Sequence, residues 1–168
     1  MPDVISDAGP ILHLHEIAQL GALGVFTRLV VPGLVAVELR IHGLDPVSLD
    51  VPGLNVSIVP VDEARRHRVL AEGGEPLIHP ADAEVFVLAH DDDFQKLVLT
   101  DDLALRRRLE ARGAVVTGSV GILVRAYKTG RLTRAQLENT VEALFTNSTL
   151  HLSRAFRAYV RQLLIGLP

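Results

Sequence analysis

The chain of 168 residues contains no cysteine, so disulfide staples and thiolate metal sites are both excluded. That absence suits a reducing compartment. No apolar run approaches the length of a membrane span, and Asp3 and Asp7 interrupt the first stretch, where a signal peptide would be basic and then apolar. A soluble, cytoplasmic protein with no membrane contact is the expectation. Positive charge is also short: the net charge is −3 and the pI about 6.1, so the global field on which a general nucleic-acid binder relies is missing. Any contact with nucleic acid must be local and metal-assisted. Internal repeats and low-complexity segments are absent from the sequence. The histidines His13, His15, His42, His67, His79 and His90 do not recur at a helical metal spacing and read as ordinary residues.

Hydrophobic residues make up 48% of the chain, enough for one well-buried core at single-domain size. Short apolar, β-branched runs at Val4-Ile5-Ser6, Leu29-Val30-Val31, Val56 to Val59, Leu97-Val98-Leu99 and Ala114-Val115-Val116 are each followed by a helix-like stretch. That alternation predicts an α/β fold with a parallel sheet wrapped by helices. The first helix is expected to begin at Pro10, where a proline costs no hydrogen bond. Further helices are expected over Leu34 to Ile41, Asp62 to Ala71, Ala81 to His90, Asp102 to Arg112 and Val120 to Lys128, with an irregular segment from His42 to Asn55. After Gly130 the pattern is helical throughout, with Thr133 and Gln136 at capping-box spacing and a second helix over Leu152 to Ile165. Residues 1–130 therefore read as a core and 131–168 as a helical extension of the same domain. In the last helix Leu152, Ala155, Phe156, Tyr159, Val160, Leu163 and Leu164 form one apolar stripe, opposite Arg154, Arg157 and Arg161. Such a stripe must bury against the protein's own core, a second subunit or a partner helix.

In open parallel sheets ligands bind beyond the carboxyl ends of the strands. The first strand runs into Asp7, the fourth into Thr100-Asp101-Asp102 and the fifth into Thr117-Gly118-Ser119. Glu38 and Asp82 lie among apolar neighbours in the helices after the second and third strands. A carboxylate in such surroundings is costly unless paired or bound to a cation, and several converging on one pocket would repel one another. A divalent ion is the simplest way to keep them ionised together, and oxygen-only ligands favour Mg2+ or Mn2+ over zinc. The plainer reading makes Asp7, Asp82 and Asp102 helix caps. Glu38, well inside an apolar helix, does not fit that reading.

Taken in order, Ile5-Ser6-Asp7-Ala8-Gly9-Pro10, Val30-Val31-Pro32 with Glu38-Leu39, Asp82 seven residues before Ala89, Leu99-Thr100-Asp101-Asp102 and Gly118-Ser119-Val120-Gly121 resemble the signature of PIN-domain nucleases. The resemblance covers essentially the whole chain and is nearest to a toxin-like subgroup with added C-terminal helices. It implies a three-layer α/β/α domain that hydrolyses RNA phosphodiesters with one or two Mg2+ or Mn2+ ions. Asp7, Glu38, Asp82 and Asp102 would be the catalytic metal ligands. Ser119, where many relatives have threonine, would support metal or water, and Asp101 would stand behind the ligands or cap the helix. Glu84 competes with Asp82 for the third place, but residues two apart on a helix point apart, so one alone can serve. Arg106, Arg107 and Arg108 are the candidates for RNA phosphate contacts, although a solvated helix face is the plainer reading. A partner antitoxin follows from the same resemblance, and a second copy in a homodimer from the apolar stripe of the last helix. Two other readings stay open: a degenerate PIN-like fold that binds RNA or protein without cutting, and a phosphoryl-transfer or receiver domain. The latter is disfavoured by the single aspartate ending the first strand.

Overall fold

The computed structural model describes residues 3–72, 79–94 and 97–167. Five short runs rich in Val, Ile and Leu pair into one parallel sheet: β1 (Asp3–Ser6), β2 (Arg28–Pro32), β3 (Asn55–Val59), β4 (Leu97–Leu99) and β5 (Val115–Thr117), in the order β3-β2-β1-β4-β5. The central strand is β1, with Ile5 in register with Val30 on one side and Val98 on the other. Val4, Ile5, Val30, Val31, Val98 and Leu99 are buried, as expected of strands covered on both faces.

The helices are α1 (Ala8–Glu16), α2 (Gly33–Ile41), α3 (Glu63–Ala71), α4 (Pro80–Ala89), α5 (Leu103–Ala111), α6 (Ser119–Lys128), α7 (Arg134–Asn147) and α8 (Arg154–Ile165). Right-handed crossovers that leave β1 in one direction and β4 in the other put their helices on opposite faces. In the packing α3, α4 and α5 form one group and α1, α6 and α7 the other, while α2 touches both α1 and α4. The result is a three-layer α/β/α domain. Among the described residues no helix is long and apolar enough to cross a membrane.

Most boundaries fall within a residue or two of expectation, and the first helix shows why they move. It begins at Ala8 rather than Pro10, with Asp7 as its cap. The first-turn amides have no partner inside the helix, so a proline in third place costs nothing. Asp62, Asp102, Thr133 and Ser153 cap α3, α5, α7 and α8 in the same manner. At α7 the capping box is complete, Gln136 Oε1 accepting from the Thr133 amide at 2.8 Å. The segment from His42 to Leu54 is irregular apart from a single 3-10 turn, Pro46–Ser48, and Asn55 already opens β3.

The two C-terminal helices differ in how they are held. Leu137, Val141, Leu144 and Phe145 of α7 are buried in the same core cluster as the sheet. On α8 only Val160 and Leu164 of the stripe reach that core, while Phe156, Tyr159 and Leu163 stay 41%, 60% and 38% exposed. Arg161 fastens α8 to α7 by donating to both Glu142 oxygens at 2.8 and 3.0 Å, and its guanidinium and that of Arg157 lie over the Phe145 ring. The apolar stripe is thus half core and half surface.

Truncation after Gly130 strips Leu137, Val141, Leu144, Phe145, Leu150, Val160 and Leu164 from the core, each contributing about 1.5–3 kcal/mol. The expected product is insoluble, or compact but molten and dye-binding. A soluble fragment that unfolds cooperatively in urea would show that α7 is dispensable.

Candidate active site

Outward progression from β1 to β3 and from β4 to β5 makes the connections after β1 and β4 diverge, which opens a crevice at the carboxyl ends of those two strands. A cleft of about 810 Å³ lies there, walled in part by Asp7, Glu38, Asp82 and Asp102. Each acid arrives on a different element: Asp7 ends β1, Glu38 sits in the second turn of α2, Asp82 in the first turn of α4, and Asp102 caps α5.

Asp7 is the most confined of the four. Its Oδ1 accepts from the Ala8 amide at 2.6 Å and its Oδ2 from the Thr100 hydroxyl at 2.8 Å. Burial pushes its pKa up to about 7; the Thr100 and Ala8 hydrogen bonds pull it down, and the negative charges of Asp82 and Glu38 push it up further. Burial also raises Asp82, against the His79 amide bond that lowers it, with Asp102 and Glu38 adding repulsion. The four carboxylates therefore act on one another through a shared, partly desolvated space.

That is the environment of a hard divalent cation, and the donor chemistry of the four acids fits Mg2+ or Mn2+. Asp7, Glu38, Asp82 and Asp102 are the residues that would hold it. Among the described residues no three His, Asp or Glu side chains are gathered tightly enough to chelate one ion as they stand. Asp82 Oδ2 is held by the His79 amide at 3.0 Å and Asp102 Oδ1 by the Leu105 amide at 2.7 Å. For each of these two acids, the second carboxylate oxygen is the one not engaged in that cap.

The structure separates Asp82 from Glu84. Glu84 is buried away from the cleft, accepting from the Leu34 amide at 2.7 Å and from Arg66 at 2.8 Å, and so it joins the start of α2 to α3 and α4. Asp82 lines the cleft.

Of the two places expected for Asp101, beside the ligands or as the cap of α5, the structure shows the first, next to Ser119. Asp101 does not cap α5; its Oδ1 accepts from the Ser119 amide at 2.8 Å, and its Oδ2 accepts from the Ser119 hydroxyl at 2.5 Å and lies 2.8 Å from His13 Nδ1. Ser119 is fully buried with its hydroxyl committed to Asp101, so it supports the site from behind rather than contacting metal or water. Glycine is required at 118 because a Cβ there would collide with the Asp101 carboxylate. None of Arg106, Arg107 and Arg108 lines the cleft. Arg106 instead donates to the carbonyls of Val116 at 3.1 Å and Thr100 at 3.3 Å, tying down the ends of β5 and β4.

Sequence reasoning missed four participants, Thr100 and the cleft-lining His13, His79 and His151. Thr100 is buried between two acids, donating to Asp7 and accepting from the Asp102 amide at 3.1 Å. Its position as a polar residue ending an apolar strand was the available signal. His13 and His79 line the cleft, and the His13 contact with Asp101 spans 88 residues of sequence, so no local spacing announces it.

Two outcomes test this geometry. Glu84→Ala should cost about 3–5 kcal/mol in urea unfolding, because it strands Arg66 and the Leu34 amide, while the folded fraction keeps its cleft. Asp82→Ala should cost no more than a cap, about 0.5–2 kcal/mol, and should lose the chemistry instead. The second outcome concerns pH. Since the Asp7 pKa is raised from 3.8 to about 7, the protonated form favours folding, and its contribution is whole below pH 3.8 and lost as pH rises through about 7. In EDTA the Tm advantage of Asp7→Asn over the unsubstituted chain should widen across that window and level off above it. A difference that stays flat with pH would mean Asp7 is ionised in the fold at every pH tested.

Searches of curated proteins and of solved structures found no match. A family model, DUF3368, described as a PIN domain, matches residues 3–165. The matched span takes in every strand of the sheet and every residue of the cleft, and the chain therefore belongs to the PIN-domain family.

Proposed function

We propose that this protein is a Mg2+- or Mn2+-dependent ribonuclease whose catalytic and metal-holding residues are Asp7, Glu38, Asp82 and Asp102. PIN domains are generally nucleases, and one observation carries the finer reading: four acids from four separate elements line one cleft, where burial and mutual repulsion push Asp7 up to about 7. Such a cleft repels phosphate unless a cation offsets the charge. When bound, the ion would activate water and offset charge on the scissile phosphodiester, giving a 5′-phosphate and a 3′-hydroxyl.

The chain's own contribution is positioning. Thr100 and the Ala8 amide fix the Asp7 carboxylate, and the Leu105 and His79 amides fix one oxygen each of Asp102 and Asp82. Asp101 orients the His13 ring on the cleft wall. A role as the toxin of a toxin–antitoxin pair, with an antitoxin protein as partner, rests on the family resemblance; action in the cytoplasm rests on the cysteine-free composition, and pairing with a second copy on the α8 stripe.

The deciding experiment is hydrolysis of single-stranded RNA with Mn2+ against EDTA. Cleavage should require the ion. Asp7→Asn and Asp102→Asn should abolish it while Tm stays level or rises as repulsion is relieved. RNA bound but uncut with every divalent ion tried would assign the chain to the degenerate, binding-only reading.

A further inference from the structure

Beside the acid cleft lies a second groove of about 660 Å³, formed where the ends of β4 and β5 and the start of α6 face α8. Its walls are apolar, with Leu103, Val116, Val120, Phe156, Tyr159 and Leu163 among them. Asp101, Leu103, Leu150 and His151 border both spaces, so the groove and the cleft are immediate neighbours. Phe156 and Tyr159 are the exposed half of the α8 stripe, and their rings stand 6.1 Å apart, tilted by 38°. Arg106 also borders the groove, with its guanidinium held by the Val116 and Thr100 carbonyls and by Glu110 at 3.4 Å.

We propose that this groove holds an unpaired nucleobase of the RNA strand whose phosphodiester lies in the acid cleft, stacked against Tyr159 and Phe156. This inference rests on the nuclease reading of the neighbouring site. Adjacency is the first argument, because a strand whose phosphodiester lies in the cleft brings its neighbouring bases within reach of a groove that shares four lining residues with it. Size is the second: the groove falls in the range of pockets that take small flat ligands, about 300–1,000 Å³. Charge is the third. An acidic cleft on a chain of net charge −3 gives a polyanion no purchase, whereas stacking on an aromatic ring needs no charge and tolerates any base. Bases in an A-form duplex are closed to such a contact, so the groove selects single-stranded RNA.

The test uses full-length protein carrying Asp102→Asn, which removes both cleavage and one repelling charge, and a short single-stranded RNA with one 2-aminopurine. Binding should quench the 2-aminopurine saturably, and adding Tyr159→Ala or Phe156→Ala should weaken that binding by about 10- to 100-fold. Tyr159→Phe should restore it. Both rings are exposed, so unchanged Tm separates the loss from unfolding. Quenching that is absent, or unmoved by both alanine variants, overturns the proposal. So does light scattering that shows a dimer of the unsubstituted chain dissociated by Tyr159→Ala, since the groove would then be an interface between copies. Failure of the nuclease reading shows elsewhere, as RNA left intact with Mn2+ by the unsubstituted protein while the ring-dependent quenching persists.

Discussion

Asp7 stands at the end of the central strand, nearly sealed in protein, with the Ala8 amide and the Thr100 hydroxyl sharing its charge. Capping and site chemistry are not alternatives at this position. The carboxylate that starts α1 also faces the cleft, and Thr100, which donates to it, belongs to the residue run that leads into α5. One hydroxyl thereby couples the ends of β1 and β4, the two strands whose connections diverge to make the crevice. Asp102 repeats the arrangement, with one oxygen on the Leu105 amide and a place on the same wall. A parallel sheet brings strand ends and helix starts together at one edge, so aspartates serving as caps there are gathered without any further device.

Behind the acids stands a layer that holds them in place. Asp101 joins α1 through His13 to α6 through Ser119, and Gly118 is bare so that its carboxylate can lie across the backbone. Arg106 does the same work for the strand ends, binding the carbonyls of Thr100 and Val116. With β4 and β5 of three residues each, few ladder bonds fix these ends, and side-chain bonds to their carbonyls substitute for longer strands.

The layout of the sheet was legible because each strand is a compact apolar run and each helix start carries its own cap. That the four acids would meet at one cleft was legible because three terminate strands or open helices and Glu38 interrupts an apolar stretch. What remained hidden depended on contacts between distant segments. Asp82 and Glu84 exclude each other by helical geometry, but the choice is made by Arg66 on α3 and the Leu34 amide on α2, which pattern alone does not bring together. The Arg106 to Arg108 run reads as a phosphate-binding patch until Arg106 is seen to be engaged with carbonyls ten and six residues away. Periodicity drew the α8 stripe as a single face, and packing against α7 divided it.

The same internal use of arginine extends through the molecule and bears on how an RNA could be held. Arg66 is paired with Glu84, Arg161 with Glu142, Arg157 and Arg161 flank Phe145, and Arg125 lies over Phe26 at 5.3 Å. These guanidiniums stabilise helix packing, and their charge is offset or set against a ring rather than presented as a continuous basic surface. With the cleft itself acidic, attraction for a polyanion has to be generated locally. A divalent ion among the carboxylates would supply the charge, and an aromatic groove beside the cleft would supply a contact that does not depend on charge. On this fold the two requirements fall at adjacent places, the end of β1 and the exposed flank of α8, so that strand capture and phosphodiester chemistry would depend on each other through the few residues that border both.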